Sequence, residues 1–453
     1  MEAESVAIGD DPLAALGGPE PSTSTVPPPE QPHPLAPPPQ QPQTPLSPPP
    51  PPPPPPPQPY AYQPPPDVVE TFLGRPAPPR QHTETSVPQS LEGVLTLAKA
   101  GAWRAATHLS ERLLAHSHPV DVLLQLRWYH IVALLRLREN SKAEREIALL
   151  GDLRSPGYNY EKYPAVYPSQ TGSMVPFALH VLHALLPSYS GNHDQALSRL
   201  YALLDVETTA AEAERAGGPL PRLAERAQVV LALVNVLCAV YDYPNAVTHL
   251  EQLIGAVQQQ QQPSGAAAAA TPPADGPQEG FGAAGEATPP TLTHLLSLLG
   301  RLQLQLGNLD AADDAFSRLE CLLRAPDETA AVRINRGLLA VANSQYEPAL
   351  AEFKAALEME PSSVLAANNL AVCQLYCCHL SEAVGTLESQ LKADPKGSMH
   401  PTLVANLANL YQMTSPGAAQ NFRDAKPTLE KIVQATAADD FDASVLNLGG
   451  QQP

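Results

Sequence analysis

Two pairs of side chains have the spacing of metal or redox ligands. His180 and His183 lie three residues apart in a stretch with helical periodicity, so both imidazoles share one helix face. No third ligand is indicated nearby, although a zinc site needs at least three. Cys373 and Cys377 lie four apart, with Cys378 adjacent. We expect the histidines to pack or to be solvated, and the cysteines to fill a helix seam, because small buried thiols commonly do so.

A third group of reactive side chains lies near the chain end, where Asp439, Asp440 and Asp442 form an acidic cluster. We expect a solvated terminus there. The sequence also lacks a phosphate-binding glycine loop and the HExxH and GxSxG motifs of metalloproteases and serine hydrolases. These observations predict a protein that is not an enzyme and has no catalytic, cofactor-binding or metal site.

The elements that must position these residues are helices. From about residue 90 the chain is rich in alanine and leucine with helical spacing and almost no strand alternation. The pattern repeats, because Ala349 and Ala383 are 34 residues apart, as are Pro361 and Pro395. One helical pair cannot bury its apolar face alone, so successive pairs must stack. The fold class is therefore all-α: a tetratricopeptide-repeat solenoid of antiparallel helical pairs.

Three central units carry small residues where paired helices approach closely and large residues that fill the seam between units. The structural repeat positions are Gly300, Ala312, Phe316, Gly337, Ala349, Phe353, Pro361, Ala371, Ala383, Leu387 and Pro395. Weaker copies precede them around Gly101, Gly191 and Tyr243, and a final pair, "HPTLVANLANLYQM" with "DAKPTLEKIV", follows. The count is seven to eight units.

Two asparagines, Asn335 and Asn369, occupy a first-helix position at which some tetratricopeptide arrays grip the acidic end of a partner chain. Such a clamp also needs lysine or arginine, whereas the matching positions carry Ser297, Leu338 and Val404. We therefore expect no binding of acidic chain ends. The two asparagines should cap or bridge backbone groups.

Composition divides the chain into unlike parts. Of its 453 residues, 54 are proline, and most of these lie in residues 1–88, which include ten consecutive prolines from Pro48 to Pro57. We expect 1–88 to be a disordered Pro-rich tail, 91–448 to be the helical array, and 258–290 to be a low-complexity Gln/Ala/Pro insertion within it. The tail offers PxxP sites for SH3, WW or profilin-type grooves.

Charge and hydropathy restrict the partners. The net charge of −19 argues against nucleic acid and against electrostatic docking on anionic membranes. No apolar run reaches the roughly 20 residues needed to span a bilayer, and the acidic N-terminus lacks the basic region of a signal peptide. Five cysteines in so long a chain do not indicate a disulfide framework. These features predict a cytoplasmic protein without a transmembrane segment.

The segment from Tyr158 to Phe177, "YNYEKYPAVYPSQTGSMVPF", interrupts the repeats with five aromatic residues and three prolines. As core, it would be a long connector whose tyrosines pack on the flanking helices. As interface, it would reach a partner, since aromatic residues and methionine are enriched at such surfaces. Both roles remain open. The candidate partner contacts are Tyr158, Tyr160, Tyr167 and Met174. The expected anchors are Tyr163, Pro164 and Phe177.

The same segment resembles the subunit 12 family of the transport protein particle (TRAPP) complex. That family has a tyrosine- and proline-rich stretch leading into "GSMVPF", here Gly172 to Phe177, and a helix ending near "GN". The stretch "VLAANNLAVCQLYCCHLSEAV" is similar to a helical pair of the family, and "YDYPNAV" and "LQLGNLDAADDAF" fall in the family's order. The resemblance covers roughly 91–448 and excludes the Pro-rich tail and the insertion.

The resemblance implies a non-catalytic scaffold subunit of the TRAPP tethering and Rab-exchange complex, acting in ER-to-Golgi vesicle transport and autophagy. The implied partners are the large peripheral subunits 8, 11 and 13, with the Rab GTPase engaged only indirectly. The implied location is cytoplasmic, peripheral on ER–Golgi intermediate and Golgi membranes. The alternative is a free-standing tetratricopeptide adaptor that binds peptide tails and, through its Pro-rich arm, SH3, WW or profilin-type partners.

Overall fold

A computed structural model describes residues 67–76, 83–214, 223–261, 290–323, 329–413 and 425–447. These residues form seventeen α-helices and no β-strand. The helices are α1 (Val68–Leu73), α2 (Leu91–Lys99), α3 (Trp103–Leu114), α4 (Val120–Arg136), α5 (Asn140–Ala148), α6 (Phe177–Tyr189), α7 (His193–Glu214), α8 (Leu223–Ala239), α9 (Tyr243–Gln261), α10 (Leu292–Gln305), α11 (Leu309–Leu322), α12 (Ala330–Ala342), α13 (Tyr346–Met359), α14 (Val364–Tyr376), α15 (Leu380–Ala393), α16 (Pro401–Met413) and α17 (Ala425–Thr436).

Eight helical pairs make up the described part of the array, from α2 with α3 to α16 with α17. Each helix packs on the next, and the first helices of many neighbouring pairs also touch, as α10 touches α12 and α14 touches α16. The predicted all-α tetratricopeptide architecture is confirmed. None of the described helices is both long enough and apolar enough to cross a lipid bilayer.

Close approach within a pair explains the glycines of the central units. A Cβ added to Gly300 would lie 2.2 Å from the Phe316 ring, and one added to Gly337 would lie 2.7 Å from the Phe353 ring. Both rings are buried, Phe353 completely. A larger residue at either glycine would therefore displace a ring that fills the seam.

Seven of the turns that join the first and second helices of a pair share one geometry, and we call this row of turns the turn edge. In each turn a residue in the left-handed conformation ends the first helix, and the next N–H donates to a carbonyl five residues back. This is the Schellman cap, which glycine favours because it lacks a Cβ. Four of the turns nevertheless use L-residues, each at a cost of about 1 kcal/mol. The seven residues are Gly101, Arg138, Gly191, Tyr241, Gly307, Ser344 and Cys378.

The two ends of the array meet through residues 438–442, which we call the latch. The Asp439 carboxylate accepts from the Arg104 backbone N–H (3.1 Å) at the start of α3. The Asp439 N–H in turn donates to the Gly101 carbonyl (3.2 Å). The acidic cluster is therefore not a solvated terminus. That expectation was wrong because backbone donors at a helix start attract carboxylates from elsewhere in the chain.

Ion pairs extend the latch. Asp440 lies 3.6 Å from Arg136, and Asp442 lies 2.9 Å from Arg138. The Arg136 guanidinium also sits 5.6 Å from the centre of the Trp103 ring. A hydrogen bond from Ser444, followed by the Arg138 charge, lowers the pKa of Asp442. Asp440 and Asp442 are thus paired with two arginines of the second unit.

The N-terminal side of the described chain also contacts the last units. Helix α1 buries Val69 and Leu73 in the apolar cluster formed by α15, α16 and α17. Arg75 then donates to the carbonyls of Lys392 (3.1 Å) and Ala393 (2.8 Å) at the C-terminal end of α15. Cations are favourable at that end of a helix because of its dipole. The array is therefore closed on itself.

A cavity of about 840 Å³ lies inside this closure. It is lined from both ends of the array, by α4 and α6 on one side and by the start of α16 and the latch on the other. Its charged side chains include Arg136 and Arg138, which the latch carboxylates already engage.

Two expected boundaries differ from those observed. The tail was expected to run to residue 88, but α1 lies inside that range because its two apolar side chains find a complementary cluster. The insertion was expected from residue 258, whereas α9 continues to Gln261. The rest of the expected tail, residues 1–66 and 77–82, and most of the insertion, residues 262–289, lie outside the described residues.

Candidate functional site

The segment from Tyr158 to Phe177, which we call the strap, is tied at its base by backbone hydrogen bonds. The Met174 N–H donates to the Tyr158 carbonyl (2.8 Å), and the Tyr160 N–H donates to the Gly172 carbonyl (3.0 Å). The Glu161 carboxylate accepts from the Gly172 N–H (2.7 Å), and this bond lowers the pKa of Glu161. The strap is therefore a closed, ordered loop.

Its tyrosines point toward the protein. Tyr158, Tyr160, Tyr163 and Tyr167 are half-buried against the apolar cluster of the first repeats. The Tyr158 hydroxyl donates to the Leu150 carbonyl (2.8 Å), and the Tyr160 and Tyr167 rings meet edge to face with centroids 5.1 Å apart. The Tyr167 hydroxyl donates to the Asp121 carboxylate, which raises the pKa of Tyr167.

These contacts bear on the four residues suggested to touch a partner. Met174 is only 5% exposed, so the prediction is wrong for this side chain, which packs as core. Tyr158, Tyr160 and Tyr167 are committed to contacts within the chain, and their part in partner binding stays a prediction. Val166, at the outer side of the strap, is 60% exposed and had not been singled out.

The histidine pair sits on α6, partly buried. Burial lowers the pKa of both His180 and His183, so both imidazoles favour the neutral form. The His180 ring lies 6.3 Å from Phe177, and Arg199 donates to the His183 carbonyl (3.0 Å). Among the described residues, no three His, Cys, Asp or Glu side chains are grouped so as to hold a metal.

The three cysteines of the predicted cluster lie in different environments. Cys373 is buried, and desolvation raises its pKa to about 12. Cys377 is half-buried with a raised pKa, and Cys378 is exposed at a left-handed turn position. Because the thiolate is the reactive and metal-binding form, the surroundings of Cys373 favour the packing role.

The asparagines of the first helices join neighbouring units through side chains. The Ser297 hydroxyl donates to the Asn335 side-chain carbonyl (3.1 Å), and Asn406 donates likewise to Asn368 (2.9 Å). The expectation that Asn335 bridges backbone groups is wrong, because its partner is a side chain of the preceding unit. Asn335 and Asn369 are 1% and 6% exposed, so neither is open to a chain end.

Comparisons with known proteins support the repeat fold and the family resemblance. A tetratricopeptide-repeat family model matches residues 340–408, which run from the end of α12 into α16. The chain is 29% identical over 407 residues to "Trafficking protein particle complex subunit 12" of Mus musculus and, equally, of Homo sapiens. That match covers 84% of this chain but 48% and 52% of the two relatives, so the chain spans about half their length. The resemblance inferred from the strap is confirmed.

Two solved structures that match this chain have low sequence identity to it. The crystal structure of Ypp1 is 13% identical with a TM-score of 0.43, covering 79% of this chain and 41% of that one. A Rap protein complexed with Competence and Sporulation Factor is 12% identical with a TM-score of 0.39, covering 78% and 88%.

Proposed function

We propose, from its relationship to subunit 12 of the trafficking protein particle complex, that this chain is a non-catalytic scaffold subunit of such a complex. The observation that carries the proposal is the 29% identity over 84% of the chain. A closed array of helical pairs supports it, because such arrays present extended surfaces to large protein partners.

The same relationship supports a finer proposal. The complex would act in ER-to-Golgi vesicle transport and autophagy, with this chain bound to the large peripheral subunits 8, 11 and 13. Contact with a Rab GTPase would be indirect, and the chain would reach ER–Golgi intermediate and Golgi membranes only through the complex. Its net charge of −19 supports indirect recruitment, since an acidic surface is repelled by anionic lipid.

Affinity purification from the native cells tests the proposal. The tagged chain should recover the other subunits of the complex in comparable amounts, measured by quantitative mass spectrometry. The cell extract should also place the chain in a large particle on a sizing column. A monomeric elution, with no subunit recovered, would overturn the scaffold role.

A second candidate function rests on the ten consecutive prolines from Pro48 to Pro57. A polyproline II segment is preformed for SH3, WW and profilin-type grooves. A free-standing adaptor would recover such proteins in the same purification, and deletion of residues 1–66 would abolish their recovery. The scaffold role predicts that the same deletion leaves the subunits of the complex bound.

A further inference from the structure

Tyrosines collect along the turn edge, and the most exposed is Tyr241, at 80%. Its ring meets that of Tyr243 edge to face, with centroids 6.3 Å apart. Tyr189 is 46% exposed at the preceding turn of this type. Tyr376 is 43% exposed at a later turn, stacked on Tyr346 with centroids 4.5 Å apart. Aromatic side chains are over-represented at the energetic centres of protein interfaces.

The backbone of Tyr241 makes its exposure unusual. Its φ of 62° is left-handed, a conformation that is an outlier for a bulky L-residue. Equivalent positions carry Gly101, Gly191 and Gly307, which adopt this conformation freely. At Arg138 the side chain is used within the chain, because it pairs with Asp442 at 2.9 Å. The Tyr241 ring projects largely into solvent, so its packing within the chain offsets little of the backbone strain. Strain of this kind is a recognised pointer to function.

The charged side chains within these turns are carboxylates. Each of the five turns from Tyr189 to the start of α15 has one, placed one to four residues after the left-handed residue, and none has a lysine or arginine. Asp242, next to Tyr241, accepts from Asn245 (2.7 Å) and keeps further acceptor capacity. The five are Asp194, Asp242, Asp310, Glu347 and Glu382.

We propose that the turn edge around Tyr241 is the docking site for a lysine-bearing segment of another subunit. A lysine ammonium is attracted both to a tyrosine face and to a carboxylate, and Tyr241 and Asp242 supply the two at adjacent positions of the chain. A second aromatic pair, Tyr346 and Tyr376, lies further along the turn edge, beyond the turn at Gly307. The inference rests on the proposed scaffold function, since it names a surface for assembly with that complex.

The substitution Tyr241→Gly tests the site because binding and folding should respond in opposite directions. Glycine relieves the left-handed strain, so the Tm of the purified chain should rise by about 2 °C. The same change removes the exposed ring, so recovery of one partner subunit from cells should fall about tenfold. The matched control is Leu149→Ala, which trims a 68% exposed side chain at the end of α5. It should change neither quantity.

A zero-length carbodiimide crosslink tests the partner's chemistry. In the purified full assembly, Asp242 should couple to a lysine of another subunit, and mass spectrometry should identify both peptides. Failure to form that link overturns the lysine-bearing partner, and a link to a second copy of this chain shows self-association instead.

The outcomes separate the two proposals. If the wild-type chain recovers no subunits, the scaffold function fails, and the docking site with it. If the wild type recovers them and Tyr241→Gly does so equally well, only the docking site is overturned. If Tyr241→Gly lowers both the Tm and the recovery of subunits, the residue is structural, and the docking site is again overturned.

Discussion

The strap and the latch are both irregular segments outside the helical pairs, yet they are held by different forces. The strap packs half-buried tyrosine rings on an apolar cluster and closes with backbone hydrogen bonds. The latch offers carboxylates to a helix start and to two arginines. The strap was expected to be exposed in part and lies inward, whereas the latch was expected to be solvated and bridges the chain ends. Residue type alone therefore does not reveal which way a connector faces.

Removing a ring from the strap should have the largest effect. Tyr160→Ala should lower the free energy of unfolding by about 2 kcal/mol, because loss of the half-buried ring removes its packing on Tyr167 and on the apolar cluster. Chemical denaturation of the full chain measures the change. Tyr241→Ala removes an exposed ring and should change stability by less than about 0.5 kcal/mol. Equal effects of the two would show that the strap is not anchored as described.

A smaller change isolates one polar contact of the strap. Tyr158→Phe keeps the ring and removes the hydroxyl that donates to the Leu150 carbonyl. We expect a loss of about 1 kcal/mol in the same denaturation measurement. A neutral result would mean that water replaces the hydroxyl at that carbonyl.

The latch should respond least, and it should respond to salt and acid. Asp440→Asn with Asp442→Asn removes two partly exposed ion pairs, so stability should fall by about 1 kcal/mol or less, and salt should erase the difference. Amide exchange of residues 101–104 should rise in the variant. The control, Asp313→Asn with Asp314→Asn, removes the same charge from α11 and should leave that exchange unchanged.

The acid response has a definite sign. The pKa of Asp442 is lowered in the folded chain, so its stabilising effect is complete above its unfolded value, near 4, and is lost as the pH falls through the lower folded value. The Tm difference between the wild type and the Asp440→Asn, Asp442→Asn variant should therefore shrink below about pH 4. A difference that persists at pH 2 would contradict an electrostatic latch.

The helical pairs could be predicted because their signals are local. The 34-residue step gives the length of a unit, and a glycine facing a phenylalanine determines how its two helices pack, as at Gly337 and Phe353. Closure of the array could not be predicted, because it joins Arg104 to Asp439 across 335 positions and produces no periodic pattern in the sequence. The prediction for Met174 was wrong for a related reason, because methionine is common both in cores and at interfaces.

The same logic applies to the candidate site. Proline and aromatic density drew attention to the strap, whereas Tyr241 lay in an ordinary repeat, "YDYPNAV". Its left-handed backbone follows from its place in the turn. Aligning Tyr241 with Gly101, Gly191 and Gly307 was the one signal that could have exposed it.

Closure also changes how the chain should fold. An open solenoid has only neighbour contacts, so it can unravel unit by unit from either end. Here Arg75 bonds to carbonyls 317 and 318 positions away, and the latch returns to the first unit. Such distant contacts raise the contact order, so ring closure should come late and slowly in folding. Once formed, the closure holds the first and last units of the described array to each other, so these units should exchange their amides as slowly as the middle ones.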